Sequence, residues 1–561
     1  MDEPAVGEDI QAGDSQNILN QPNGNAKSRQ QPTTHISVKA LDNLVWYFPC
    51  SYIWLEFGYT LDVKYKQLVV TVLCLFVLAG SVSCSSDNGE TLQQDLREDV
   101  PVATETPQTS PSPQEKPTET PVIEEEEITE PEPEGPKYKN GDSDYLFDQD
   151  QLHTFELTLS EQNLAFLDAE PGREEYVKGT LTFEGESLPV GIRYKGSVGA
   201  WVGCVSGDFF QAEGEKTCTK LSMKVKINWE DSDDKFYEVK KLQFHSQNLD
   251  PTKMHERLGY YLFREMGVPA PRSVHARLII NGQYNGIFAL TEQIDGRFTR
   301  ENFDDGTGNL YKEVWPLTNE GEAKTNDWDF EWALKTNEDE DPTFDIMHGF
   351  SQAIATADKD DLQQVMREWM NIDPVLAYAV VDRAIANDDG VFHWYCDDER
   401  IGGEGSNTEQ FSCNPHNFYW YEDPTAGTMH LIPWDLDNAF ENISRPNPVT
   451  PIKDGWGEIT NDCKPFAFGG WGLPQLSAAC DPIIGTWASF ENEYQQIQNT
   501  FLTGVFSQEN VDNLINTWAG QIKDAVQEAA ETHDDQPSME SWLRNVERLK
   551  NDLETVRNEI N

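Results

Sequence analysis

From residue 85 to residue 140 the chain offers little from which a core could be built. It runs through Thr-Glu-Thr-Pro, Ser-Pro-Ser-Pro-Gln, four glutamates at 124–127 and Pro-Glu-Pro-Glu. Sparse apolar groups, frequent prolines and like charges make an extended, self-repelling tether. With its flank this tether is expected over 85–145, so only the chain beyond it is left to fold.

What precedes the tether looks like export machinery. Lys64-Tyr-Lys66 stands before an apolar run from Leu68 to Gly80, followed by Ser81-Val-Ser-Cys84. A basic start, a short apolar stretch and a small-residue junction describe a signal peptide at 63–84. The run falls short of the roughly 20 residues that a membrane span needs. Small residues before a lone cysteine resemble a lipobox, although Ser81 replaces the usual leucine. The expectation is therefore an exported protein, lipid-anchored through Cys84 to the outer membrane or cell surface. Signal peptides begin chains, so translation is expected to start at Val63, with residues 1–62 either untranslated or disordered.

Cysteine placement agrees with export. Beyond the leader the six remaining cysteines fall as local couples: Cys204/Cys218, Cys396/Cys413 and Cys463/Cys480. Even numbers in close couples predict three loop-stapling disulfides, which persist in an oxidising compartment. No CxxC or HxxxH spacing suggests zinc. A formal net charge of −56 argues against nucleic acid as a partner, because phosphate backbones select basic surfaces.

From about residue 150 the pattern becomes globular. Alternating apolar residues predict strands at 153–159, 176–183, 188–194 and 220–229, with a short helix at 161–168. A glycine-punctuated loop begins at Lys195-Gly-Ser. An amphipathic helix is expected over 253–266, closed by Gly267. Asn281-Gly suits the tight turn of a hairpin joining 273–280 to 284–291. After an acidic loop at 317–345 come helices at 362–370 and 374–386, a second hairpin at 418–432, and a mostly helical stretch from 490. The predicted class is α+β in two lobes, with a sheet-rich part at 146–316 and a mainly helical part at 346–561. That order already resembles an atypical protein kinase.

The second half carries a set of groups suited to phosphoryl transfer, which needs a held metal, a cation for phosphate charge and a carboxylate for the attacking hydroxyl. Asn387-Asp-Asp389-Gly forms a polar loop after a helix. Asn417 opens the second hairpin, and Asp435-Leu-Asp437 closes it. Two carboxylates and an amide brought together by a hairpin make a hard oxygen site for Mg²⁺ or Mn²⁺.

Several segments in order resemble the CotH (spore-coat protein H) kinase-like family. They include Arg193-Tyr-Lys195-Gly, Lys220-Leu-Ser-Met-Lys-Val-Lys226, His255-Glu-Arg-Leu, Asn281-Gly-Gln-Tyr-Asn-Gly, Gly308-Asn-Leu-Tyr-Lys312 and Ile432-Pro-Trp-Asp435-Leu-Asp437. The resemblance runs from about residue 153 to the end. It implies a kinase-like fold using ATP, with Asp389 as the aspartate that accepts the substrate hydroxyl proton. It implies Asn417 and Asp435 as metal holders, assisted by Asp437. Lys226 is the expected phosphate-binding lysine with Lys224 as the alternative, and Glu256 on the next helix is its expected partner. Glu292 would fall at the adenine hinge, while Arg193 and Lys195 would face phosphates or form plain salt bridges.

The chain departs from ordinary kinases in having no GxGxxG, HRD or DFG. An insertion between Cys396 and Cys413 also separates Asp389 from Asn417. The leading expectation is a kinase for Ser or Thr on a surface or envelope protein. The alternatives are a non-catalytic adhesion or envelope-assembly protein on the same scaffold, and a two-carboxylate hydrolase using Asp389 and Asp435.

Overall fold

The computed structural model describes residues 142–196, 198–207, 212–396, 412–440, 456–468 and 473–560. The leader, Val63, Cys84 and the 397–411 part of the insertion lie outside the described residues. The described residues start slightly before the expected end of the tether. Asp142 caps a helical turn, Ser143–Leu146, whose Leu146 is fully buried.

Seven strands close into a barrel: β1 (His153–Leu159), β2 (Val177–Phe183), β3 (Glu186–Tyr194), β4 (Met223–Lys226), β5 (Lys241–His245), β6 (Ser273–Ile280) and β7 (Gln283–Thr291). Their order is β1-β2-β3-β4-β5-β7-β6, and β6 returns parallel to β1 while every other pair is antiparallel. Period-two alternation aims one face of each strand inward. Phe155, Leu157, Leu181, Ile192, Val225, Phe244 and Leu278 fill the interior. Phe155 stacks on Phe183 at 4.7 Å. Closure removes the exposed edges that an open sheet would leave.

The expected strand at 220–229 is shorter, because its ends serve other purposes. Lys220 is buried and donates from Nζ to the Ile287 carbonyl at 2.5 Å. Ile227 stays buried in the barrel core, and the chain then turns into a short 3₁₀ segment, Trp229–Asp231. The Asn281-Gly hairpin forms as expected, with positive φ at both turn residues.

Helices cover the barrel and build the second half. They are α1 (Glu161–Ala169), α2 (His255–Glu265), α3 (Gly296–Asn302), α4 (Asp345–Thr356), α5 (Leu362–Trp369), α6 (Ile372–Ala384), α7 (Pro482–Ala488), α8 (Glu491–Thr503), α9 (Gln508–Thr532) and α10 (Met539–Ile560). Strands β8 (Leu310–Lys312), β11 (Phe418–Asp423) and β12 (Thr428–Pro433) make a three-stranded sheet. Strands β9 (Trp394–Cys396), β10 (Cys413–Asn414), β13 (Phe466–Phe468) and β14 (Leu473–Leu476) make a four-stranded one. The C-terminal helices return to the barrel: the Tyr284 hydroxyl on β7 donates to the Ala525 carbonyl of α9 at 2.9 Å. All three expected disulfides are present.

One buried histidine makes this packing sensitive to acid. His275 is fully buried, takes a proton donor from Arg257 at Nδ1 (2.8 Å) and bonds the Lys253 carbonyl through Nε2 (2.5 Å). Burial, then the Arg257 charge, pushes its pKa down to about 3. The folded chain thus refuses a proton that the unfolded chain accepts near pH 6.5. This contribution is complete above that value and is lost as pH falls. Between pH 7 and pH 5 it should cost roughly 2 kcal/mol. Urea midpoints at the two pH values check this, and His275→Gln should shrink the difference.

Candidate active site

The barrel supplies one side of the site at the ends of β3 and β5. Lys195, just past β3, points its Nζ at Nε2 of His245, the last residue of β5, at 2.6 Å. His245 Nδ1 faces both Glu256 oxygens at 2.8 and 2.7 Å, and the Thr291 hydroxyl donates to the same carboxylate at 2.7 Å. Glu256 lies in the first turn of α2, where a carboxylate suits the helix dipole. Burial opposes its ionisation, but His245, Thr291 and Lys195 outweigh that and hold its carboxyl below the usual range. Burial likewise lowers Lys195, against the pull of Asp435, Glu256 and Asp437.

The other side is built by a loop and a hairpin. After α6 the chain turns through Ala386 at positive φ into Asn387-Asp-Asp389-Gly390. Asn387 donates to Asp382 at 2.8 Å, and a Cβ at Gly390 would lie 2.5 Å from the Asn387 amide nitrogen, so glycine alone fits. Register pairs Phe418 with Pro433, and Trp434 donates its N–H to the Asn417 carbonyl at 3.0 Å. The hairpin therefore carries Asn417 and Asp435 to one end. Asn417 Nδ2 donates to Asp389 Oδ2 and to the Asp389 carbonyl, both at 2.9 Å, while Asn438 Nδ2 reaches the same carboxylate at 3.3 Å. Asp435 has left-handed backbone, and its N–H is held by the Tyr260 hydroxyl at 2.9 Å.

Negative charge is crowded here. Burial, then Asp435, lifts the Asp389 carboxyl to about 7. Burial, then Asp435, Glu256 and Asp389, lifts Asp437 well above the carboxylate range, with Lys195 opposing. Among the described residues no three His, Cys, Asp or Glu side chains stand ready as a metal cage. Asn417 instead turns its amide nitrogen to Asp389.

Asp389, Asn417, Asp435 and Asp437 thus come together opposite Lys195, with Glu256 behind it. The remaining candidates are placed differently. Lys195, not Lys226 or Lys224, carries the link to Glu256, because inward Met223 and Val225 leave both strand lysines on the outer barrel face. Lys226 lies opposite Gly191 and Lys241, and Lys224 opposite Arg193. Burial, then Lys241, Lys195 and Arg193, pushes Lys224 down to about 7. Arg193 is taken up by Glu174 at 2.5 Å and lies over the Tyr176 ring. Glu292 is no hinge contact through its side chain: it is buried between Arg272, at 2.8 Å, and Arg297.

Sequence reasoning missed His245, Thr291, Asn438 and Glu313, whose carboxylate accepts the Asn417 N–H at 3.1 Å. The alternation of Leu242 and Phe244 in Lys-Leu-Gln-Phe-His would have marked β5 and its terminal histidine. No curated protein is similar to the chain at a significant level. The family model described as CotH kinase protein matches residues 192–558, which takes in the barrel from the end of β3, the polar loop and the hairpin. On that match, over more than half its length, the chain belongs to the CotH kinase family.

Proposed function

We propose that the chain is a phosphotransferase that moves the terminal phosphoryl group of ATP to a Ser or Thr hydroxyl of a surface or envelope protein. The observation that carries this is the convergence of Asp389, Asn417 and Asp435 opposite Lys195. The barrel and the helical half then serve as the two lobes around the nucleotide.

The donor set fits Mg²⁺ or Mn²⁺. It is made of hard oxygens, and its carboxylates raise one another's proton affinity in a half-buried space. Asp435 and Asn417 would hold the ion, with Asp437 assisting. A divalent cation so bound would neutralise phosphate charge as it builds up during transfer. Lys195 would bind phosphate oxygens from the barrel side. Asp389 would accept the hydroxyl proton as the substrate oxygen bonds to phosphorus and the bond to ADP breaks. The disulfides suit an oxidising compartment, as does a lipid anchor at Cys84.

The purified chain, incubated with labelled ATP, Mn²⁺ and an envelope protein fraction, should label protein. Asp389→Asn should slow this about a hundred-fold or more, the usual weight of a positioned base. A chain that neither binds nucleotide nor incorporates label would overturn the proposal.

A further inference from the structure

Lys195 does not touch the carboxylate that would orient it. An imidazole stands between them, and its chemistry is constrained at both nitrogens. With Lys195 as the ammonium that phosphate binding requires, it has only protons to give, and Nε2 of His245 is then the acceptor at 2.6 Å. The ring's single proton then sits on Nδ1, where it donates to Glu256 at 2.7–2.8 Å. The Thr291 hydroxyl donates to Oε2 of the same carboxylate at 2.7 Å, the oxygen that also lies 2.7 Å from Nδ1. Trp434 packs edge-on to His245 at 5.9 Å, and Lys195 Nζ lies 5.4 Å from the same ring. His245, Glu256, Thr291 and Trp434 are each at most 5% exposed, so the ring is held among buried groups.

We propose that His245 is a positioning residue: as a neutral, Nδ1-protonated imidazole it transmits the orientation of Glu256 on α2 to Lys195 at the mouth of the barrel. The inference rests on the reading of Lys195 as the phosphate-binding cation. Protein kinases need a lysine–glutamate ion pair in place for activity. Here the pair is lengthened by a ring, and the consequence is physical. A direct carboxylate contact would hold the ammonium against Glu256, whereas a neutral acceptor fixes its direction and leaves more of its charge for phosphate. Trp434 ties the string to the hairpin, since the next residue is Asp435. Movement of α2 would therefore be felt at the lysine through one rigid, planar group.

Two readouts test this. In ¹⁵N-histidine-labelled protein, the ring signal that disappears in His245→Gln should show a proton on Nδ1 and a bare Nε2. A proton on Nε2 would overturn the proposal, whether or not the chain is a kinase. In phosphoryl transfer, His245→Ala should raise KM for ATP about tenfold with a smaller change in kcat. His245→Gln, whose amide can accept from Lys195 and donate to Glu256, should return KM to within about threefold of the native value. An alanine variant with native KM, or a glutamine variant no better than alanine at equal melting temperature, would also overturn it. Absence of transfer by the native chain counts against the kinase reading alone, and the tautomer then decides the string.

Discussion

Asp435→Asn should remove phosphoryl transfer while leaving the fold intact. Asparagine is the informative substitution because Asp435 has φ of +54°, a conformation that asparagine tolerates and that strains most other side chains. The N–H held by Tyr260 belongs to the backbone and is retained. What disappears is one negative charge at the centre of the carboxylate cluster. Without it the site holds a divalent cation poorly and loses charge neutralisation in the transition state. The expected fall in kcat/KM is about a thousand-fold, on the order of 4 kcal/mol. The melting temperature should stay level or rise, since Asp435 repels Asp389 and Asp437. Label incorporation near the native rate in Asp435→Asn would remove this residue from the mechanism.

Glu292→Ala should have the reverse signature, a large loss of stability with unchanged nucleotide affinity in the molecules that fold. The Glu292 side chain is 3% exposed and sits between Arg272 and Arg297. Removing one member of a buried, hydrogen-bonded ion pair typically costs about 3–5 kcal/mol. The lower end is expected here, because Arg272 and Arg297 keep other acidic partners in Asp144 and Glu301. Burial works against the Glu292 charge, but the two arginines prevail and depress its pKa. Its contribution is therefore complete above the unfolded value, near 4.3, and fades as pH falls through the lower folded value. Urea unfolding of the two proteins at pH 7 and pH 3.5 should show their difference shrinking in acid. Native stability combined with weakened ATP binding would restore a nucleotide-contacting role.

Much of this was legible in the residues. Local signals found the strands flanking Glu184-Gly185, the Asn281-Gly hairpin, the second hairpin and the three cysteine couples, because each depends on neighbours in sequence. The convergence of residues 389, 417 and 435 was legible because a short hairpin fixes where its ends meet. Barrel closure was not, since the parallel pairing of β6 with β1 joins segments more than a hundred residues apart and leaves no local mark. Which lysine is linked to Glu256 was not legible, for a related reason. Alternation shows that Lys224 and Lys226 share a face, but not which strand end approaches α2.

The sequence by itself determined the class of elements, the cysteine couples and the inventory of carboxylates. Tertiary structure alone decided that Lys195 is joined to Glu256, that His245 stands between them, and that Glu292 belongs to two arginines. The physical reason is range. Periodicity, turn chemistry and charge runs act over a few residues, whereas ion pairs and hydrogen bonds in a closed barrel depend on which distant backbones are brought within about 3 Å.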